Sequence, residues 1–159
     1  MNNEEIMTGV ELEIILKAGK ILLSSGAEIS RTEDTMNYIA RAMNFKDLEA
    51  YVSNRGIFAT AKKDDNTEIT RIYNVPEVDI NLSKIESVNA LSRRITQKSI
   101  TIEEVINELE KIDTMPDYSI FWRLVAYTIG ASGFSYAIGS SITDSIIAGI
   151  IGLILGVYM

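Results

Sequence analysis

The hydrophobic pattern predicts four helices before residue 118. Apolar positions over 10–22 recur at helical spacing, and a second helical pattern runs over 30–43. Amphipathic patterns over 82–96 and 101–112 predict two further helices. The two pairs are separated by a stretch with a different periodicity.

Short runs rich in β-branched and aromatic residues fill that stretch, and they are typical of strands. They read AYVS, GIFATAKK and TEITRIYNV. The polar residues at 64–66 predict a turn between the last two. The whole order predicts an α+β fold, in which two helices, a small antiparallel sheet and two more helices follow one another.

Local signals predict where these helices begin and end. Gly26 suits the left-handed position that follows a helix. Ser30 with Glu33, and Thr101 with Glu104, have the spacing of capping boxes. We therefore expect a helix to end before Gly26 and new helices to begin after Ser30 and Thr101.

Beyond residue 118 the pattern changes to one long apolar tail. Arg123 and Asp144 are its only charged residues, and the 20 residues between them carry no charge. We therefore predict a domain over 1–118 and a membrane region over 119–159. That region would hold one full transmembrane helix over about 121–142 and a truncated one over about 144–159. The apolar run after Asp144 would span only about 22 Å as a helix, short of a bilayer core.

Small residues recur at four-residue spacing in this tail, as Ala126/Gly130 and as Ala148/Gly152/Gly156. Such faces let helices pack closely in lipid, so we expect these residues to be helix-packing positions at which further membrane helices dock. A buried core helix in a water-soluble protein is the alternative interpretation of the same tail.

Charge and composition exclude several classes of protein. The chain has 15 Lys+Arg and 22 Asp+Glu, a net charge of −7, which argues against a nucleic-acid partner. It has no Cys and no His, which excludes disulfides, zinc-thiolate sites and histidine-based catalysis. We predict no metal site, no cofactor and no catalytic residue.

The N-terminal sequence predicts topology. MNNEEIMTGVELEII is acidic and lacks the basic and apolar regions of a signal peptide. We therefore expect the N-terminal domain to be cytoplasmic. The two predicted membrane segments would make the chain a multi-pass membrane protein.

Five charged residues of the N-terminal domain are candidates for a polar site. Glu28, Arg31 and Glu33 lie around a predicted helix start, and Arg55 or Arg71 would join them from the strands. One interpretation is a cluster that pairs internally or binds a small polar substrate. The other is a set of solvated first-turn residues.

Asp144 is the candidate of the membrane region for substrate binding or ion coupling. An ionisable residue in a membrane segment is by default a functional candidate. A first-turn acid stabilised by the helix dipole is the competing interpretation.

Several motifs resemble those of the threonine/serine exporter family. The first is the string Leu-Leu-x-x-Gly-Ala-Glu-x-x-Arg-x-Glu over 22–33. The likeness continues in Thr70-Arg71, in the Asp-Ile-Asn-Leu of 79–82, and in the Gly-Ser-Ser-x-x-Asp of 139–144 before Ala148-Gly149. It thus extends over nearly the whole chain.

This resemblance implies a cytoplasmic N-terminal domain followed by a set of inner-membrane helices. It also implies export of small metabolites, threonine and serine in some members and dicarboxylates such as succinate in others. The resemblance also implies that members divided over two chains need a second small membrane subunit. We expect such a subunit, missing C-terminal helices, or further copies of the chain to complete the transporter.

Three functions therefore remain open. The first is an exporter subunit, which is not an enzyme. The second is a membrane-anchored hydrolase that uses Glu28 and Glu33 as a carboxylate pair, with Arg31 stabilising an anion. The third is a regulatory domain that senses a metabolite and gates a partner channel.

Overall fold

The computed structural model divides the chain into two compact units, 1–115 and 116–159. The residues that it describes are 3–63, 68–75, 78–116 and 118–158. The turn expected at 64–66 lies outside these described residues.

In its described residues, the first unit has two helices, three strands and two more helices, in the order expected from the sequence. Its elements are α1 (Asn3–Ser24), α2 (Ile29–Ala42), β1 (Asp47–Ser53), β2 (Gly56–Lys62), β3 (Glu68–Asn74), α3 (Leu82–Thr96) and α4 (Ile102–Asp113). The second unit consists of α5 (Ile120–Ala137) and α6 (Ile142–Tyr158). The α+β class with a small antiparallel sheet is therefore confirmed.

The three strands form an antiparallel sheet in the order β1-β2-β3. Val52 pairs with Ile57 on the buried face, which packs against the helices. On the opposite face, Phe58 pairs with Tyr51 and Ile72, and all three side chains are exposed. The alternation of strand side chains thus gives the sheet one buried and one solvated face.

Helix α1 supplies the centre of the core, since it contacts α2, α3, α4, β2 and β3. Leu12, Ile15 and Leu16 are fully buried there. Glu11 on the same helix is only 8% exposed, and its carboxylate pairs with the ammonium group of Lys63. A nearly buried carboxylate requires such a partner.

The end of α1 has the hydrogen bonds of a Schellman motif. Ala27 N–H donates to the Leu22 carbonyl (3.0 Å), and Gly26 N–H donates to the Leu23 carbonyl (3.1 Å). Gly26 has φ +82°, a conformation that glycine adopts without a Cβ penalty. The expected role of Gly26 is confirmed.

The two expected capping boxes differ in outcome. At α4, Glu104 N–H donates to Thr101 Oγ1 (3.4 Å), and Thr101 N–H donates to Glu104 Oε2 (2.9 Å). These reciprocal bonds confirm the predicted capping box. The bonds that the Glu104 carboxylate accepts from the Thr101 N–H and then from the Thr101 hydroxyl lower its pKa.

The prediction for the start of α2 is wrong. The helix begins at Ile29 with Glu28 as its N-cap, and no side chain caps it. The Glu33 carboxylate accepts a hydrogen bond from Val52 N–H at 3.2 Å. Since Val52 lies on the edge strand β1, Glu33 satisfies an edge N–H group instead of closing a capping box with Ser30.

In the second unit, α6 packs its small residues against α5. Ser145, Gly149, Gly152 and Gly156 are its buried positions. A Cβ atom on Gly156 would lie 2.9 Å from Tyr127 Cδ2. The absence of a side chain at Gly156 therefore allows the two helices to lie this close together.

Helix α5 ends at Ala137 instead of near residue 142. Gly139 has φ +92°, and Ser140 N–H donates to the Ser135 carbonyl at 3.2 Å, so the chain leaves the helix there. Helix α6 begins at Ile142 and runs to Tyr158. Within the described ranges, no helix is both long enough and apolar enough to cross a membrane.

Candidate functional site

A groove between α2 and α3 holds two of the predicted site residues, Glu28 and Arg31. We call it the α2–α3 groove, and its volume is about 540 Å³. Its lining residues are Leu22, Gly26, Ala27, Glu28, Arg31, Asp34, Thr35, Tyr38, Leu82, Ile85, Asn89 and Arg93.

Helical spacing explains the α2 wall of the groove. Arg31, Asp34 and Tyr38 follow one another by three and four residues, which places them on one face of the helix. On α3, Ile85, Asn89 and Arg93 follow one another by four residues each, which also places them on one helical face. Each wall of the groove is thus one face of a regular helix.

Backbone hydrogen bonds fix the segment that leads into α3. Asp79 N–H donates to the Ser24 carbonyl (2.9 Å), and Asn81 N–H donates to the Ser25 carbonyl (3.1 Å). The Asn81 side chain then caps α3 by accepting from Lys84 N–H at 3.1 Å. The start of α3 is therefore anchored to the end of α1.

The groove contains charges of both signs. Arg31 and Arg93 supply two guanidinium groups, and Glu28 and Asp34 supply two carboxylates. All four residues are exposed. In the part of the chain that the structure describes, none of these four side chains forms an ion pair or a side-chain hydrogen bond.

The structure places the other candidates of the first unit elsewhere. Glu33 binds the backbone of β1, as described above. Arg55 lies in the turn after β1, where its backbone carbonyl accepts from Val75 N–H at 2.9 Å. Arg71 lines a second groove, formed by α1, β3 and α4. Glu28 and Arg31 therefore share a groove, whereas Glu33, Arg55 and Arg71 do not line it.

This second groove has a volume of about 620 Å³. Apolar side chains such as Ile14, Ile69 and Leu109 line it together with four charged residues. The charged ones are Glu13, Lys17, Glu68 and Arg71. The mixture gives the groove an apolar surface beside charged groups.

Tyr73 on β3 donates its hydroxyl hydrogen bond to the Glu13 carboxylate. Burial, followed by the hydrogen bond and charge of Glu13, raises the pKa of Tyr73 to about 12. The phenol therefore stays protonated at neutral pH and ties β3 to α1.

Asp144 lies in the first turn of α6 and has a local partner. Ser141 Oγ donates to Asp144 Oδ2 at 2.7 Å, and Asp144 N–H donates to Ser141 Oγ at 3.2 Å. This reciprocal pair has the geometry of a helix cap, and an acid there also favours the helix dipole.

The helix-packing candidates divide into two groups. Gly152 and Gly156 are buried against α5, and Ala148 is half-buried. Ala126 and Gly130 on α5 are exposed, and a Cβ atom on Gly130 would meet nothing within 4 Å. Within the α5–α6 hairpin (120–158), α5 itself covers the small residues of α6, so the expectation that further helices dock on that face is wrong.

Sequence reasoning missed five polar residues of the α2–α3 groove, namely Asp34, Thr35, Tyr38, Asn89 and Arg93. The spacing from Arg31 to Asp34 and Tyr38 would have indicated a shared helical face. Nothing in the local sequence points to Asn89 or Arg93, because only tertiary packing brings α3 beside α2. Among the described residues, no group of three or more acidic side chains is arranged to hold a metal ion.

Comparison with known families identifies the chain as a member of a transporter family. Residues 13–159 match the family described as "ThrE: Putative threonine/serine exporter". The match covers most of the chain and both of its units, so the chain belongs to this family. No curated protein and no solved structure matches the chain.

Proposed function

We propose that the chain is a component of a plasma-membrane exporter of small polar metabolites, with threonine and serine as its substrates. The family match over residues 13–159 carries this proposal, since it spans the α+β unit and the helical hairpin alike. On this account the first unit is cytoplasmic and the hairpin belongs to the membrane part of the exporter.

The charge distribution of the hairpin supports its placement in the membrane. Arg123 and Asp144 are its only charged residues, and both lie in the first turns of their helices. Large apolar side chains such as Phe134 and Ile150 are exposed on the hairpin, at 72% and 54%. Lipid tails or a partner protein would remove these apolar side chains from contact with water.

The proposed transport path needs helices beyond this hairpin. An 18-residue α5 and a 17-residue α6 extend about 27 and 26 Å, while a hydrocarbon core is about 30 Å thick. Two helices also do not enclose a polar path. Additional C-terminal helices, a second small membrane subunit or further copies of the chain would complete it.

The exposed stripe of Ala126 and Gly130 on α5 is the proposed docking face for these helices. The glycines of α6 are already covered by α5 and are not open to a further helix, which leaves the small residues of α5 for this role. Small side chains at helical spacing on an uncovered face favour close approach of another helix in lipid.

The geometry offers less support for the hydrolase alternative. That alternative needs Glu28 and Glu33 to act together on one bound substrate. Glu28 lines the α2–α3 groove, whereas the Glu33 carboxylate is bound by the Val52 N–H. The two carboxylates do not face a common cavity among the described grooves.

Efflux from living cells tests the proposal. Two strains of the organism that encodes the chain are compared: one lacks the gene, and the other carries it on a plasmid. Both are preloaded with labelled threonine, serine or succinate. We expect chain-dependent efflux of threonine and serine. If the chain increased the efflux of succinate alone, the proposed substrates would be wrong. If the efflux of all three solutes were the same with and without the chain, the exporter function itself would be contradicted.

A further inference from the structure

We propose that the α2–α3 groove is a binding site for a small zwitterionic α-amino acid, separate from the membrane path. The choice of amino acid rests on the proposed function, whereas the zwitterion itself is inferred from the groove. Such a site would let the first unit respond to the concentration of the solute that the exporter removes.

The charges of the groove match both ends of an amino acid. Arg31 and Arg93 present guanidinium groups, which bind carboxylates through paired, charge-assisted hydrogen bonds. Glu28 and Asp34 present carboxylates, which suit an α-ammonium group. A molecule with one carboxylate and one ammonium group therefore finds partners of both signs in one cavity.

The lack of pairing among these residues is a second observation. Among the described residues of the unit some charged side chains do pair, as in Arg94–Glu108 at 2.9 Å, while others outside the groove, such as Arg41 and Arg55, have no ion pair either. Arg93 is the immediate neighbour of Arg94, yet among the described residues it has no ion-pair partner. The groove thus keeps two cations and two anions available to a ligand.

Uncharged residues of the groove suit the remainder of a small hydroxylated amino acid. The Asn89 amide and the Tyr38 hydroxyl are donors and acceptors for a side-chain hydroxyl. Leu82 and Ile85 supply apolar surface for a methyl group. The volume of about 540 Å³ falls in the range of small-molecule sites.

The same charges disfavour a dicarboxylate. With one carboxylate of succinate on an arginine, the second would share the groove with Glu28 and Asp34. Like charges at close range repel, and no ammonium group is present to engage the acidic residues. We therefore expect the groove to select the zwitterion over the dianion.

Calorimetric titration of the full chain in detergent micelles tests this site. The ligands are L-threonine, L-serine, succinate and L-threonine methyl ester, which lacks the carboxylate. We expect threonine and serine to bind, and succinate and the ester to bind at least about tenfold more weakly, because each loses a charged contact.

Paired variants locate the binding site. Arg31→Gln and Arg93→Gln should each weaken threonine binding by about tenfold. Arg41→Gln on α2 and Arg94→Gln on α3 are the matched controls, since neither residue lines the groove. We expect the controls to keep threonine affinity within about twofold. Circular dichroism of each variant establishes that it remains folded.

Three results would overturn the inference: no threonine binding to the wild-type chain, equal loss in the controls and the groove variants, or succinate binding as tight as threonine binding. The outcome is separable from that of the proposed function. Chain-dependent threonine efflux without binding in the groove rejects only the groove. Binding in the groove without chain-dependent efflux rejects only the exporter.

Discussion

The carbonyl oxygen of Tyr127 lies so close to Gly152 that a Cβ atom at position 152 would be 2.6 Å from it. The Ala131 Cβ would be 2.8 Å from the same added atom. The glycine therefore lets α6 lie directly on the backbone of α5. This contact assigns the α6 glycines to the hairpin itself and leaves the α5 stripe as the uncovered small-residue face.

Gly152→Ala should destabilise the hairpin, because the new methyl group must push α5 and α6 apart. Overpacking of this kind costs about 1–3 kcal/mol. Thermal unfolding in detergent micelles, followed by the fluorescence of Trp122 on α5, measures the change. Trp122 is the single tryptophan of the chain, so the signal reports on the hairpin.

Gly130→Ala is the matched control for this substitution. A Cβ atom there meets nothing within 4 Å, and alanine favours a helix over glycine by about 1 kcal/mol. We expect the unfolding midpoint to stay the same or rise. Equal lowering by both substitutions would contradict the assigned packing of the hairpin.

Glu33→Ala should leave the Val52 N–H group at the edge of β1 without its hydrogen-bond acceptor. The carboxylate that accepts from Val52 N–H is lost, and a hydrogen bond to a charged group is worth about 1.5–3 kcal/mol. Amide hydrogen exchange gives the most local measurement, and we expect faster exchange at Val52 than in the wild-type chain.

Ser30→Ala separates this contact from ordinary helix capping. No side chain caps α2, so we expect Ser30→Ala to change stability by less than about 0.5 kcal/mol and to leave exchange at Val52 unaltered. A larger loss for Ser30→Ala than for Glu33→Ala would restore the capping-box interpretation.

The two capping-box signals show what local sequence does and does not determine. Thr101 with Glu104 and Ser30 with Glu33 have the same spacing, yet only the first pair forms the motif. Glu33 has a competing partner 19 positions away in sequence, on a strand edge that the local pattern does not reveal. Periodicity therefore predicted the elements, whereas tertiary contacts decided how individual polar side chains are used.

The same limit applies to the groove and to the hairpin. The motif around Glu28 and Arg31 was visible in the sequence, but Arg93 joins it only because α3 packs beside α2. In the hairpin, glycine spacing indicated close helix contact without showing which helix would make it. The end of α5 was missed because the positive φ of Gly139 ends the helix inside an uncharged run.

Thr101→Ala should raise the pKa of the Glu104 carboxyl part of the way toward its ordinary value, because it removes the hydroxyl bond and keeps the backbone N–H bond. The hydrogen bonds from Thr101 lower that pKa, so they stabilise the fold above the unfolded-state pKa and are lost as pH falls through the folded-state pKa. Carbon-detected NMR titration of Glu104 measures the shift. An unchanged pKa would show that the Thr101 hydroxyl does not contribute to the lowered value.

Tyr73→Phe should reduce the sensitivity of the fold to alkaline pH. The pKa of Tyr73 is raised from 10.0 to about 12, so its contribution to stability is complete below pH 10 and is lost as pH rises through about 12. The wild-type chain should therefore lose more stability than the variant between these values. Absorbance titration of phenolate, compared between the two chains, identifies the late-titrating tyrosine.

Threonine efflux from reconstituted vesicles tests the central claim most directly. Membrane proteins from source cells lacking the gene are reconstituted with labelled threonine inside, with and without the purified chain. We expect the wild-type chain to increase the efflux rate and Gly152→Leu, which disrupts the hairpin, to fail to do so. An efflux rate that is unchanged when the wild-type chain is added would contradict its assignment as an exporter component.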